Sequence, residues 1–293
     1  MALRLVQWFG GKGLRWRWIL ENLPSGRVYV EPFGGAASLL LNKPPHPVEV
    51  YNDLNGDLVN LFRAVQDEAR FEKLKWRLEW TLYSYDEFRR ARRILAESQD
   101  PDERAWAFYV ACTQGFSGQS RHDGNWSRAF VSTVGMAENT SRWINGIAKL
   151  PLIRKRLMRV QIDNRDGLEV IRYWDSAETI FYIDPPYPHG TRTDDDDYAC
   201  EMSDEQHAAL IDLLLSVRGN YALSTYPNPL YERLLQDQSV RKVERNTVAH
   251  AAGRTRISGI RGTGRAMAKV PRIEVLYVRH KNGGQRSLFD AAG

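Results

Sequence analysis

Residues 28–53 read VYVEPFGGAASLLLNKPPHPVEVYND, and the order of features within them decides the fold. Val28 to Glu31 is a short β-rich run, Gly34-Gly35 a glycine turn, and Ala36 to Leu41 an apolar stretch expected to be helical. Val48 to Tyr51 is a second β-like run that ends at Asn52-Asp53. Strand, glycine turn, helix, strand is the opening of a parallel α/β sheet. A strand that turns on glycines into a helix lets a ligand come close to backbone N–H groups at the helix start. An acidic residue about 20 positions later, at the end of the next strand, is placed to bind ribose hydroxyls. Asp53 meets that condition, although the glycine pair alone fits an ordinary tight turn as well.

The same alternation returns further along. Thr179 to Ile183 is a buried-strand run that ends at Asp184-Pro185-Pro186-Tyr187. Two prolines force a rigid, extended turn, so a carboxylate and an aromatic ring are presented together at the carboxyl end of a sheet, where α/β proteins bind ligands. Ser203 and Gln206 fit a capping box opening a helix with Leu210, Ile211, Leu214 and Leu215, and Tyr221–Ser224 and Ile273–Val278 read as later strands. Between the two α/β zones, residues 67–150 look helical and carry much charge and tryptophan. Phe71, Leu74, Leu78 and Leu82 recur at helical spacing, and Asp100-Pro101 reads as an N-cap followed by a first-turn proline. Residues 113–135 break into glycine, serine and arginine with scattered aromatics, the composition of loops or a hairpin. The residues alone therefore predict one α/β domain interrupted by a helical insertion.

These motifs, taken in order, resemble the Dam-like DNA adenine methyltransferases, in particular their phage and mobile-element members, over nearly the whole chain. Trp8-Phe9-Gly10-Gly11-Lys12 looks like the family's aromatic-x-Gly-Gly-Lys cofactor motif, and Glu31 to Gly35 like its glycine motif for S-adenosylmethionine (AdoMet). Asn52-Asp53 resembles the ribose-binding position, Asn164-Arg165-Asp166 the acidic motif that helps hold the adenosine part, and Asp184 to Tyr187 the catalytic Asp-Pro-Pro-Tyr. The resemblance implies a Rossmann-like AdoMet-dependent methyltransferase fold with a mostly parallel central sheet and an inserted helical target-recognition domain. It implies a discontinuous catalytic domain over 1–66 and 151–282, an insertion over 67–150 and a tail over 283–293. The implied cofactor-binding residues are Trp8, Lys12, Glu31, Phe33, Gly34, Gly35, Asp53, Asp166 and Asp184. The implied catalytic residues are Asp184, Pro185, Pro186, Tyr187 and Lys12.

The chemistry agrees with that resemblance. Adenine's amino nitrogen is a poor nucleophile because its lone pair is delocalised into the ring. A site that accepts hydrogen bonds from both amino hydrogens frees it, Asp184 accepting one and the Pro185 carbonyl the other. Direct transfer then needs neither a metal nor a cysteine, though the base must flip out of the duplex. Cytosine carbon methylation uses a thiolate, typically in a Pro-Cys pair, and no Pro-Cys occurs. The alternatives left open are cytosine-N4 methylation, usually marked by serine before Pro-Pro, and a silent DNA-binding relative, which would be expected to have lost Asp184, Tyr187 or Lys12.

The remaining features concern partners. The stretch Gly115 to Phe130 reads as a DNA-probing loop, with Arg121, His122, Asn125, Trp126, Ser127 and Arg128 as candidate readers, since arginine and asparagine can bond base edges and an aromatic can wedge or stack. It lacks the hairpin residues of the GATC-methylating members, so no target sequence follows from it. Arg254, Arg256, Arg261, Arg265 and Lys269 are placed to meet phosphate or to solvate a loop, and Asp194 to Asp197 read as a solvated edge. A net charge of +5 and a pI near 9.2 suit double-stranded DNA as partner. Gln285, Leu288 and Phe289, in a tail after Gly283-Gly284, resemble the short peptide by which bacterial proteins dock on the sliding clamp. The two cysteines, Cys112 and Cys200, sit in no disulfide or metal spacing, and the chain shows neither a signal peptide nor an apolar stretch long enough to span a bilayer. A cytoplasmic enzyme without membrane attachment is the expectation.

Overall fold

The computed structural model describes residues 2–8, 15–115, 126–129, 131–133, 135–187, 202–249 and 270–281. Helix α1 (Trp16–Asn22) leads into β1 (Val28–Glu31) and β2 (Val48–Asn52). Four helices follow: α2 (Gly56–Gln66), α3 (Glu68–Glu79), α4 (Tyr85–Glu97) and α5 (Pro101–Gln114). A small antiparallel ladder of β3 (Ser132–Thr133) and β4 (Met136–Ala137) precedes α6 (Glu138–Ala148) and α7 (Leu150–Leu157). The chain then alternates through β5 (Gln161–Asp163), α8 (Gly167–Trp174), β6 (Thr179–Ile183), α9 (Asp204–Ser216) and β7 (Asn220–Thr225). A 3₁₀ helix (Pro229–Gln236) and the pair β8 (Val240–Ala249) and β9 (Val270–Arg279) complete it.

Seven strands form one sheet in the order β5-β2-β1-β6-β7-β9-β8. The first five positions are parallel, and β9 runs antiparallel to both β7 and β8. This is the mostly parallel Rossmann-like sheet the sequence predicts. Every residue of β6 and β7 is buried, as expected of parallel strands covered on both faces. One apolar cluster joins Tyr29 and Tyr51 to Leu58, Phe62, Trp106, Phe108 and Trp143, so the helices after β2 share their core with one face of the sheet. The second cluster, with Val30, Phe181, Leu210, Leu214 and Tyr231, fills the other face beneath α8, α9 and the 3₁₀ helix.

From β1 the chain moves outward to β2 and β5, then returns to the other side of β1 as β6 and β7. The carboxyl ends of β1 and β6 therefore flank a topological switch point, where open α/β sheets bind ligands. Asn52 fastens this edge: its buried side-chain amide donates to Pro32 O (2.8 Å) and Arg165 O (3.0 Å) and accepts from Arg165 N (2.9 Å). One side chain thus ties together the ends of β1, β2 and β5.

Several local expectations need correction. Residues 36–41 do not form a helix. Ala37 sits at φ +51, and Leu40 N donates to the Glu31 carboxylate (2.9 Å) instead of to a helical carbonyl. Phe71, Leu74 and Leu78 are buried on α3, whereas Leu82 lies beyond the helix end and is exposed. The strand expected over Ile273–Val278 is longer: β9 runs from Val270 to Arg279, and it pairs with β8, a strand that composition did not reveal. Asp100 caps α5 by accepting from Asp102 N and Glu103 N, and Ser203 and Gln206 form the expected capping box. No helix among the described residues is long and apolar enough to cross a membrane.

Candidate active site

The site begins with close backbone packing at the end of β1. A Cβ on Gly34 would stand 2.2 Å from the Tyr51 ring, and Gly34 N donates to Asn52 O at 2.7 Å. Gly35 adopts φ +48, and a Cβ there would come within 3.0 Å of the half-buried Trp8 ring. Only glycine fits the first position, and glycine is strongly favoured at the second. The Gly35 amide donates to Asp53 Oδ2 (2.8 Å), while Asp53 Oδ1 accepts from Asn55 N (2.8 Å). Asp53 therefore bridges the glycine turn to the start of α2, and burial pushes its carboxyl above the ordinary range.

Glu31 is fully buried beside this turn. The Tyr29 hydroxyl (2.5 Å) and Leu40 N (2.9 Å) both donate to its Oε1. Burial pushes Glu31 up to about 7, against the opposing pull of the Tyr29 hydroxyl and the Lys43 ammonium. Asp184, on the neighbouring strand, raises it further through like charge. Lys43 lies 3.9 Å from the centre of the Tyr29 ring and pairs with buried Glu49, which Arg156 also grips through two bonds of 2.6 and 2.8 Å. The acidic edge of the site is thus backed by a buried cation.

Phe33 lies against the start of α8, where a Cβ on Gly167 would meet its ring at 2.5 Å. Asp166 is the exposed N-cap of that helix, its Oδ1 accepting from Leu168 N (2.9 Å) and Glu169 N (3.3 Å).

At the end of β6, the parallel register sets Ile183 beside Leu223 of β7, so Asp184 meets Ser224. The Ser224 hydroxyl donates to Asp184 Oδ1 at 2.7 Å, and the Tyr182 hydroxyl lies 3.3 Å behind it. Pro185 is buried. Tyr187 is also buried, packed edge-on against Tyr226 with ring centres 4.5 Å apart. Its hydroxyl donates to Glu274 Oε1 (2.8 Å), and Arg15 bonds the other oxygen of that fully buried carboxylate (2.5 Å). Sequence reasoning singled out none of Ser224, Tyr226, Glu274 or Arg15: no motif marks them, and Ser224 and Glu274 arrive through sheet register and the antiparallel β9.

Trp8, Glu31, Phe33, Gly34, Gly35, Asp53, Asp166, Asp184 and Tyr187 therefore share the carboxyl edge of the sheet. Lys12, Asp194 to Asp197, the stretch from Arg254 to Lys269 and the tail with Gln285, Leu288 and Phe289 lie outside the described residues, as do Arg121, His122 and Asn125. The other three candidate readers are described. Trp126 closes a bridge with Gly115 and packs against Tyr83 and Tyr85; Ser127 O accepts from the Tyr83 hydroxyl (2.6 Å); Arg128 is exposed. The Gly115–Trp126 bridge brings together the described residues on either side of 116–125.

The profile of the D12 class N6 adenine-specific DNA methyltransferases matches residues 8–248. A DNA adenine methylase of Serratia marcescens is 30% identical over 122 residues, 40% of this chain and 44% of that protein. The DNA adenine methylase of Escherichia coli strain K12 is 28% identical over 120 residues, 40% of this chain and 43% of its own length. A DNA N-6-adenine-methyltransferase of Escherichia phage P1 is 34% identical over 65 residues, 22% of this chain and 8% of that protein. The matched segments span less than half of each of these relatives.

The burial of Glu31 has a consequence for stability. Its folded value of about 7 lies above the ordinary 4.5, so the native state holds an extra proton between those values. Stability is then lost as pH rises through that window. Glu31→Gln keeps an acceptor for Tyr29 and Leu40 and removes the charge. Denaturant unfolding from pH 5 to 8 is expected to move in the variant's favour by on the order of 3 kcal/mol relative to the parent. A difference that does not change with pH would contradict this.

Proposed function

We propose that this chain, which belongs to the D12 class N6 adenine-specific DNA methyltransferase family, transfers a methyl group from AdoMet to the N6 amino group of adenine in double-stranded DNA. The observation that carries the reading is the placement of Asp184, a hydrogen-bond acceptor, across the switch point from the Gly34-Gly35 turn. The residues at this edge fit AdoMet chemically. Tyr51 and Trp8 fill the space side chains would need at Gly34 and Gly35, so the turn offers bare backbone, and the carboxylates of Glu31, Asp53 and Asp184 suit a molecule with a sulfonium and an ammonium. AdoMet, when bound, supplies an electrophilic methyl group on a positively charged sulfur.

Each residue then has a task. Glu31 offers Oε2, which has no partner among the described residues, to the cationic end of the cofactor. Asp53 takes the ribose hydroxyls, Trp8 and Phe33 flank the cofactor, and Lys12 and Asp166 complete its pocket. Asp184 and the Pro185 carbonyl accept the two amino hydrogens of the flipped adenine, which frees the nitrogen lone pair for attack. Pro186 stiffens the turn. Tyr187, fixed by Glu274, forms a wall for the base, and such base–aromatic contacts contribute roughly 1–3 kcal/mol. That gain offsets part of the flipping cost of a few kcal/mol. The nitrogen becomes cationic as it takes the methyl group, and Asp184 stabilises that charge until the surplus proton is lost.

We assign residues 1–66 and 151–282 to catalysis and 67–150 to target recognition, with Arg121, His122, Asn125, Trp126, Ser127 and Arg128 reading the DNA. The exposure of Arg128, close in the chain to Trp126 and Ser127, supports this assignment. The place of action is the cytoplasm. We also propose that the tail docks on a bacterial sliding clamp through Gln285, Leu288 and Phe289, with the apolar pair filling a pocket.

Incubation with tritiated AdoMet and unmethylated duplex DNA, followed by nucleoside chromatography, tests the activity. The label is expected in N6-methyladenine, and label in N4-methylcytosine would overturn the reading. Asp184→Ala is expected to abolish transfer while AdoMet affinity stays within about tenfold. Retention of more than a few per cent of activity would remove Asp184 from its role. For the clamp, a peptide of residues 283–293 is expected to bind at micromolar levels by calorimetry and to lose binding when Leu288 and Phe289 become alanine. No binding by peptide or whole protein would end that proposal alone.

A further inference from the structure

The Asp184 carboxylate takes a hydrogen bond from the neighbouring strand. Its Oδ1 receives the Ser224 hydroxyl from β7 at 2.7 Å, and the Tyr182 hydroxyl lies 3.3 Å from the same serine oxygen. Ser224 is fully buried and Tyr182 nearly so. The proton arithmetic fixes the direction of this chain. A serine hydroxyl has one hydrogen, and Ser224 spends it on the carboxylate, so Tyr182 must be the donor to Ser224. Burial and the Asp184 charge push the Tyr182 phenol well above its ordinary value, which keeps it a donor throughout the working range. Two aligned hydrogen bonds in a dry interior polarise one another and strengthen the bond to the charged end.

We propose that Tyr182 and Ser224 form a positioning relay that locks the Asp184 carboxylate in its ionised, amine-accepting orientation. The inference rests on Asp184 being the amine acceptor, as proposed above. Ser224 and Tyr182 are positioning residues: they act through Asp184. The relay has a chemical use. A carboxylate free to rotate would lose the geometry needed for the adenine amine, and one that took up a proton would become a donor to a group that is itself a donor. The like-charged neighbour Glu31 and the phenol of Tyr231 also act on Asp184. The Ser224 hydroxyl bonds Asp184 directly, and a hydrogen bond donated to the ionised carboxylate favours that form.

Steady-state methylation by the full-length protein, read as kcat, KM and pH profile, tests the relay. Ser224→Ala is expected to lower kcat about 10- to 100-fold, the effect of losing one hydrogen bond to a charged group, with AdoMet affinity within about twofold. The acid limb of its kcat profile is expected to move to higher pH, because Asp184 loses the donor that stabilises its charge. Tyr182→Phe keeps the ring and removes only the hydroxyl, and is expected to shift both readouts in the same direction by a smaller amount. An unchanged acid limb in both variants, or a kcat loss that merely follows a parallel loss of thermal stability and AdoMet binding, would overturn the relay. The parent's product separates the two levels of argument: a parent that forms N6-methyladenine with Ser224→Ala indistinguishable from it refutes the relay alone. A parent that forms none removes the reading beneath it as well.

Discussion

The site depends on how closely the backbone of Gly34 approaches β2. Its missing side chain leaves space that the Tyr51 ring fills, and its amide reaches Asn52 O. Everything nearby follows from that contact. The turn it creates brings the Gly35 amide to Asp53, the Tyr51 hydroxyl to Gly35 O (2.7 Å), and the Trp8 ring against Gly35. It also removes the helix the sequence suggests after the glycines, since Leu40 is drawn to Glu31 instead. A larger residue at Gly34 would meet a buried aromatic ring that is itself stacked on Phe62 at 4.3 Å, with little freedom to yield.

A second constraint is electrostatic. The chain carries +5 overall, yet the switch point gathers Glu31, Asp53 and Asp184. Burying carboxylates raises the free energy of their charged forms, which the upward shifts of Glu31 and Asp53 record. Such a cluster makes sense where a cationic ligand arrives, because the ligand then relieves the repulsion. Its surroundings are built to tolerate it: Lys43 behind Tyr29, backbone amides on Asp53, and the Ser224 hydroxyl on Asp184.

What the sequence revealed is mostly local. The β1 span is as read from residues 28–31, and β2 extends its reading by one residue. The capping box at Ser203 and the cap at Asp100 were legible because both ends of each bond lie within three residues. The Asp-Pro-Pro-Tyr turn was legible because proline restricts its own backbone. What was not legible depends on partners distant in the chain. Asn52 acts across 113 residues on Arg165, Tyr187 reaches Glu274 across 87, and Ser224 reaches Asp184 across 40. Residues 36–41 look helical by composition, and neither the left-handed Ala37 nor the bond from Leu40 N to the buried Glu31 is marked there. Strand β8, charged and half-exposed, lacks the apolar run that announces a central strand and is recognisable only through its ladder with β9.

The central claim is that the methyl donor and the target amine meet at the switch point between β1 and β6. A crystal structure of the full chain with AdoMet and a duplex whose target adenine is replaced by an unreactive analogue tests it most directly. The sulfonium methyl is expected between the Gly34-Gly35 turn and Asp184, with the base out of the helix and its reacting position about 3–3.5 Å from the methyl carbon. A cofactor bound away from the glycine turn, or a base directed to a different edge of the sheet, would contradict it.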